Sequence, residues 1–103
     1  MALKRAGKSA TPSATLTDDQ FHLIARALAD PRRFAILEQI AADTEVSCST
    51  LQEHEVISPA TISHHIKELH DAGLIEMRRE GRCAHLSLRR PIFDAYRKRL
   101  AAL

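Results

Sequence analysis

Residues 58–90 read SPATISHHIKELHDAGLIEMRREGRCAHLSLRR, and within them the apolar period changes from 3.6 to 2. Ser58-Pro59 opens a helix. Serine is a good N-cap, and proline is tolerated at the first helical position, where its missing N–H has no partner to lose. Ile62, Ile66 and Leu69 then form a buried stripe. Gly73 fits the left-handed position just past the helix end. Beyond it Ile75 and Met77, then Ala84, Leu86 and Leu88, alternate with polar residues. Between the two runs lies Arg79-Glu80-Gly81-Arg82, with glycine at the turn, which predicts a β-hairpin.

Working outward, residues 47–54 predict a short helix that Ser47 caps and that must pack on its neighbours to persist. Thr17 and Gln20 have capping-box spacing, with Asp18 and Asp19 at the positive end of the helix dipole. Phe21, Ile24, Ala25 and Leu28 line one face of this first helix. Asp30-Pro31 repeats the Ser58-Pro59 device, and Phe34, Leu37, Ile40 and Ala41 are expected to form the inner face of the second helix. Pro91 opens a last helix with Ile92, Phe93, Tyr96 and Leu100 on one face. The expected fold is therefore mainly α with a small β-hairpin, in the order α-α-α-α-β-β-α. A short helix, a turn, a longer helix and then a hairpin make a winged helix-turn-helix, whose second helix enters the DNA major groove. Residues 17–103 form this domain. Residues 1–16 carry Lys4, Arg5 and Lys8 among Gly, Pro, Ser, Thr and Ala, and read as a flexible basic arm.

Composition narrows the function. The chain has 103 residues, 45% of them apolar, which suits one globular domain. No apolar run approaches the roughly 18–20 residues that span a membrane, and no apolar stretch follows the N-terminal charges as in a secretory signal. Two cysteines cannot make a disulfide framework. A soluble, cytoplasmic protein is expected. Aromatic residues are only 4% and there is no Trp, against a stacking platform for single strands. The net charge of +2 hides a gradient: residues 1–75 carry −3 and residues 76–103 carry +5. A polyanion feels that local field within a Debye length of about 8–10 Å. No Gly-rich phosphate loop, HExxH motif, cleft-forming carboxylate pair or Cys/His constellation points to an enzyme, and no cofactor is expected.

The stretch ALADPRRFAILEQI (27–40), followed by SPATISHHIKELHDAGLIEMRREGR (58–82), resembles the ArsR family of bacterial repressors over about residues 20–100. The resemblance implies a homodimer that binds double-stranded operator DNA and releases it on a signal, often a metal or metalloid ion. Ser58, Ala60, Thr61, Ser63, His64 and Lys67 lie off the buried stripe, and their short or polar side chains suit base edges and phosphates. Positions matching Ala60, Ser63 and His64 commonly face DNA in the family. His64 and His65 project about 100° apart on a helix and cannot easily chelate one ion. In the wing, Arg78, Arg79 and Arg82 suit phosphates and narrow minor grooves. Phe21, Ile24 and Leu28 of the first helix, with Ile92, Phe93, Tyr96 and Leu100 of the last, are the expected dimer face. Their alternative role is to complete the protomer core.

The family's usual sensing sites do not carry over. A metal box resembling ELCVCDL falls on Glu45-Val46-Ser47-Cys48-Ser49-Thr50-Leu51. Its two thiolate positions are Ser47 and Ser49 and its acidic position is Thr50. Serine hydroxyls are poor ligands for soft cations. A second family site uses Asp and His on the last helix, which here offers Asp94 and no histidine. No metal site is therefore assigned and the inducer stays open. Two thiols remain, Cys48 and Cys83. They are either unreactive, or sense redox species or electrophiles, or join a metal site unlike the family's. Cys83 beside Arg82 is the better candidate on local sequence, since a neighbouring cation lowers a thiol pKa. The family topology gives no evident disulfide between them. A winged helix can also serve as a protein-interaction module, which would call for a neutral or acidic recognition face.

Overall fold

The computed structural model describes residues 15–54 and 58–103. The expected basic arm lies outside the described residues but for its last two positions. The elements are α1 (Asp18–Leu28), α2 (Pro31–Ala41), β1 (Val46–Ser47), α3 (Cys48–His54), α4 (Pro59–Asp71), β2 (Ile75–Glu80), β3 (Cys83–Leu88) and α5 (Arg90–Ala101). This is a winged helix-turn-helix, with α3 and α4 as the helix-turn-helix and β2–β3 as the wing.

Local chemistry explains the boundaries. The Thr17 hydroxyl accepts from the Gln20 N–H at 3.1 Å, and Asp30 Oδ1 accepts from the N–H groups of Arg32 and Arg33 at 2.9 and 3.1 Å. The Ser58 hydroxyl accepts from the Thr61 N–H at 3.2 Å. These bonds satisfy N–H groups that a helix start otherwise leaves without partners. At the far end of α4 the Gly73 N–H donates to the His70 carbonyl and the Leu74 N–H to the Leu69 carbonyl. That pair of bonds is a Schellman motif, and it needs Gly73 at φ +82°. A β-carbon there would also sit 2.6 Å from Gln20 Nε2.

The sheet has three strands rather than the two of a hairpin. β3 is central, antiparallel to β2 on one side and to the two-residue β1 on the other, with Val46 opposite Leu86 and Ser47 opposite His85. One face of the sheet, with Ile75, Met77, Ala84 and Leu86, turns toward the core. The other carries Glu76, Arg78, Glu80, Cys83 and His85. Gly81 takes φ +61° in the wing turn.

Ile24, Ile36, Ile40, Leu51, Ile62, Leu69, Leu74, Ile75 and Leu86 are fully buried and knit the helices to the sheet. Each contributes about 1.5–3 kcal/mol of apolar burial. In α2 the inward residues are Ile36, Leu37 and Ile40. Phe34, expected on that inner face, is instead exposed. The stripe is centred between Ile36 and Ile40, and Phe34 falls at its edge.

Candidate nucleic-acid interface

Helix α4 presents two chemically different sides. Ile62, His65, Ile66 and Leu69 are buried. Ser58, Ala60, Ser63, His64 and Lys67 are exposed and Thr61 is half-buried, so the six positions singled out in the sequence share the outward side. Thr61 is partly engaged, its hydroxyl lying 2.9 Å from that of Ser58. Lys67 is paired with Asp71 one turn on, at 2.7 Å. The hydrogen bond and charge of Asp71 raise the Lys67 pKa, and Lys67 holds Asp71 below the usual carboxylate range.

The wing stands beside this side of α4. A cavity of about 380 Å³ between them is lined by Ser63, Lys67 and His70 of α4, Cys48 of α3, and Met77, Arg79, Arg82 and Ala84 of the wing. Arg79 and Arg82 are exposed and form no hydrogen bond or ion pair among the described residues. Arg78 differs. It points to the opposite sheet face, where its Nη2 and Nε donate to the two carboxylate oxygens of Glu45 at 2.8 and 3.2 Å. That bidentate bond holds the Glu45 carboxyl below its ordinary range, against the opposing effect of burial. The three arginines of the sequence motif are thus two free cations and one brace.

The residues matching the metal box form a cap. The Ser47 hydroxyl accepts from the Thr50 N–H at 3.2 Å and lies 2.8 Å from the Thr50 hydroxyl and 3.3 Å from that of Ser49. Both cysteines are free thiols. Cys83 is exposed and starts β3 on the outer face. Cys48 is half-buried in the cavity wall, where burial pushes its thiol pKa up and the Arg79 charge partly counters. The ladder between β1 and β3 brings these two residues, 35 positions apart, to the same end of the sheet.

The α1–α5 layer is built on aromatic contacts. The Phe21 and Tyr96 rings lie 5.0 Å apart, the Arg99 guanidinium sits 4.2 Å over Phe21, and Arg99 pairs with Asp18 at 2.7 Å. Of the residues expected at a dimer face, Ile24, Ile92 and Tyr96 are buried in the protomer's own core. Phe21, Leu28 and Phe93 are half-buried. Leu100 is 44% exposed and Leu23, which the sequence reading passed over, is 40% exposed. Glu45 and His85 were also missed. Their places depend on β1, and two residues leave no period to read.

A helix-turn-helix domain model matches residues 28–78, which contain α2, α3 and α4. The chain is 37% identical over 82 residues to the HTH-type transcriptional regulator YceK of Bacillus subtilis (strain 168), covering 78% of this chain and 82% of that one. Its fold is similar to the crystal structure of an ArsR family transcriptional regulator (TM-score 0.75, 27% identity, covering 86% of this chain and 91% of that one). It is also similar to the solution structure of the homodimeric winged helix-turn-helix DNA-binding domain of a possible ArsR-family regulator from Mycobacterium bovis (TM-score 0.66, 25% identity, covering 86% and 89%). Sequence relationship and shared architecture lead to one conclusion: the chain belongs to the ArsR family of winged helix-turn-helix transcriptional regulators.

Proposed function

We propose that this protein is a cytoplasmic, homodimeric repressor that binds operator DNA sequence-specifically and leaves it on a signal not yet identified. One observation carries the reading: the small, polar outward side of α4 adjoins two unpaired wing arginines. Ser58, Ala60, Thr61, Ser63 and His64 are short enough to let the helix backbone approach base edges in the major groove. Lys67, Arg79 and Arg82 supply phosphate contacts, which give affinity rather than sequence preference. Arg78 contributes chiefly by holding the wing to Glu45.

Homodimerisation is supported by the homodimeric Mycobacterium bovis domain and by the apolar surface that Leu23, Leu100 and the half-buried Phe21, Leu28 and Phe93 leave on the α1–α5 layer. Two-fold pairing sets the two α4 helices about one DNA turn, ~34–36 Å, apart. The test is a footprint and salt titration on a duplex that the purified protein selects from a randomised pool. The reading expects a two-fold symmetric site and an affinity that falls log-linearly with salt. Failure to enrich any sequence removes the specific version and favours a protein-interaction module.

A second reading of the signal has a structural observation behind it. Cys48 lines the cavity between α4 and the wing, so an adduct on its thiol occupies space beside Ser63, Arg79 and Arg82. Local sequence favours Cys83; the place of Cys48 in the cavity wall is what supports Cys48. DNA release by a thiol oxidant that persists in Cys48→Ser and Cys83→Ser excludes it.

A further inference from the structure

The outer face of the wing carries a closed ring of four side chains. His85 Nδ1 lies 3.6 Å from Glu45 Oε1, and its Nε2 lies 3.4 Å from Glu80 Oε1. Arg78 reaches the same two carboxylates, Glu45 at 2.8 Å and Glu80 at 3.6 Å. Arg78 and His85 stand opposite each other in the β2–β3 register, and Ser47 of β1 stands opposite His85 on its other side. Glu45 precedes β1 and belongs to the body of the domain. Glu80 is the last residue of β2, next to the wing turn. The ring therefore stitches the wing, near its tip, to the body.

A neutral imidazole has one N–H, and its other nitrogen presents a lone pair. Here both ring nitrogens face carboxylate oxygens. In the neutral form one carboxylate meets a lone pair; only the imidazolium offers an N–H toward each. Protonation also takes the ring from a net charge of −1 to zero. Among the described residues the charged groups in contact with His85 are Glu45, Glu80 and Arg78, and Glu76 and Cys83 are the other titratable groups on that sheet face. Arg78 opposes the imidazolium charge, and the two carboxylates outweigh it.

We infer that this ring is a proton-operated clasp on the wing: with His85 protonated it fastens β2 and β3 to the segment at Glu45, and with His85 neutral the fastening loosens. His85 and Glu45 are positioning residues. They act on DNA through Arg79 of β2 and Arg82 of the wing turn, by holding the two wing strands in place. The inference rests on the wing being a DNA contact. Its sign follows from the geometry: DNA affinity is higher with His85 protonated than with His85 neutral, and so falls as pH rises.

The test uses the full chain as wild type, His85→Gln and His85→Lys, bound to the duplex that the wild type selects, at constant ionic strength between pH 5.5 and 8. The wild type is expected to lose about three- to fivefold more affinity over this range than His85→Gln, the size of effect an exposed ion pair supports. His85→Lys, charged throughout, is expected to keep the low-pH affinity at pH 8. In DNA-free wild type, the protection of amides 76–86 relative to their intrinsic exchange rate at each pH is expected to fall as the His85 ring loses its proton, followed by NMR, and to stay level in His85→Gln. A His85→Gln profile that superimposes on the wild type overturns the clasp, as do wing amides indifferent to the His85 titration. If no duplex is bound by any of the three, the DNA reading fails and the NMR experiment still decides the clasp.

Discussion

The α4–wing face and the α1–α5 layer are both surfaces of one small core, yet they are finished in opposite ways. The first ends in hydroxyls, a methyl, an imidazole and free guanidinium groups. The second leaves Leu23 and Leu100 exposed, and is built around a tilted Phe21–Tyr96 ring pair. On the second face the arginine nearest the aromatics, Arg99, is already paired with Asp18 and lies over Phe21. Arg79 and Arg82 on the first face have no hydrogen-bond or ion-pair partner among the described residues. Arg99 is thus held in an internal pair beside the aromatics, whereas on the face proposed for a polyanion Lys67 alone is paired, with Asp71. Charge alone would not have separated the two, because residues 76–103 supply both.

This contrast can be broken in a definite order of effect. Ile62→Ala empties a fully buried site beneath α4 and is expected to cost about 2–4 kcal/mol in urea unfolding at fixed protomer concentration. A cost well below that range would mean that α4 is not held by its buried stripe. Leu23→Glu with Leu100→Glu acts on the other face. Apolar burial of about 1.5–3 kcal/mol per leucine predicts at least a tenfold weaker dimer by sedimentation, and an unchanged dimer would separate this layer from association. Arg79→Ala with Arg82→Ala should weaken DNA binding about tenfold and reduce the log–log salt slope by about two per protomer, leaving dimerisation and the urea midpoint as in the wild type. An unaltered salt slope would remove the wing from the interface.

The smallest effect concerns acid. Burial holds the His65 pKa below its ordinary value, with the Asp30 carboxylate opposing and Arg33 and His64 assisting. The unfolded chain then binds the proton more readily than the folded one. Stability is therefore kept above histidine's ordinary pKa of about 6.5 and declines as pH falls through it. His65→Asn should flatten that decline in urea midpoints between pH 7.5 and 5.5. An equally steep decline in the variant would place its source elsewhere.

The elements that could be read from sequence are those whose ends carry their own chemistry. Ser58-Pro59 and Gly73 bound α4 by local hydrogen bonds, and the wing announces itself by alternation and Gly81. Hydrophobicity was a weaker guide. Phe34 was placed inward because it is large and apolar, yet the helical phase is set by Ile36, Leu37 and Ile40. In α1 the apolar face is read in the right phase, and the burial of Ile24 fits its reading as protomer core, while exposed Leu23 lies off that face. The Glu45–Arg78–Glu80–His85 ring was illegible for another reason. It joins residues as far as 40 positions apart through a strand of two residues, so no local pattern encodes it. The outward positions of α4 are legible as a set, since they are what remains when the buried stripe is removed.

Gly73 has a mechanical consequence. Its Schellman motif leaves Gly73 and Leu74 between the cap of α4 and the start of β2, and the Arg89 N–H, one residue before α5, donates to the Leu74 carbonyl at 2.8 Å. The root of α5 is thus pinned to the root of the wing and to the end of α4, with no slack loop between them. In the proposed dimer this linkage would carry a small swing of α5 straight to α4 instead of absorbing it. The separation of the two α4 helices would then become a gauge of the angle at which the two α5 helices meet, and a signal that altered that angle by a few degrees would need no contact with the α4–wing face.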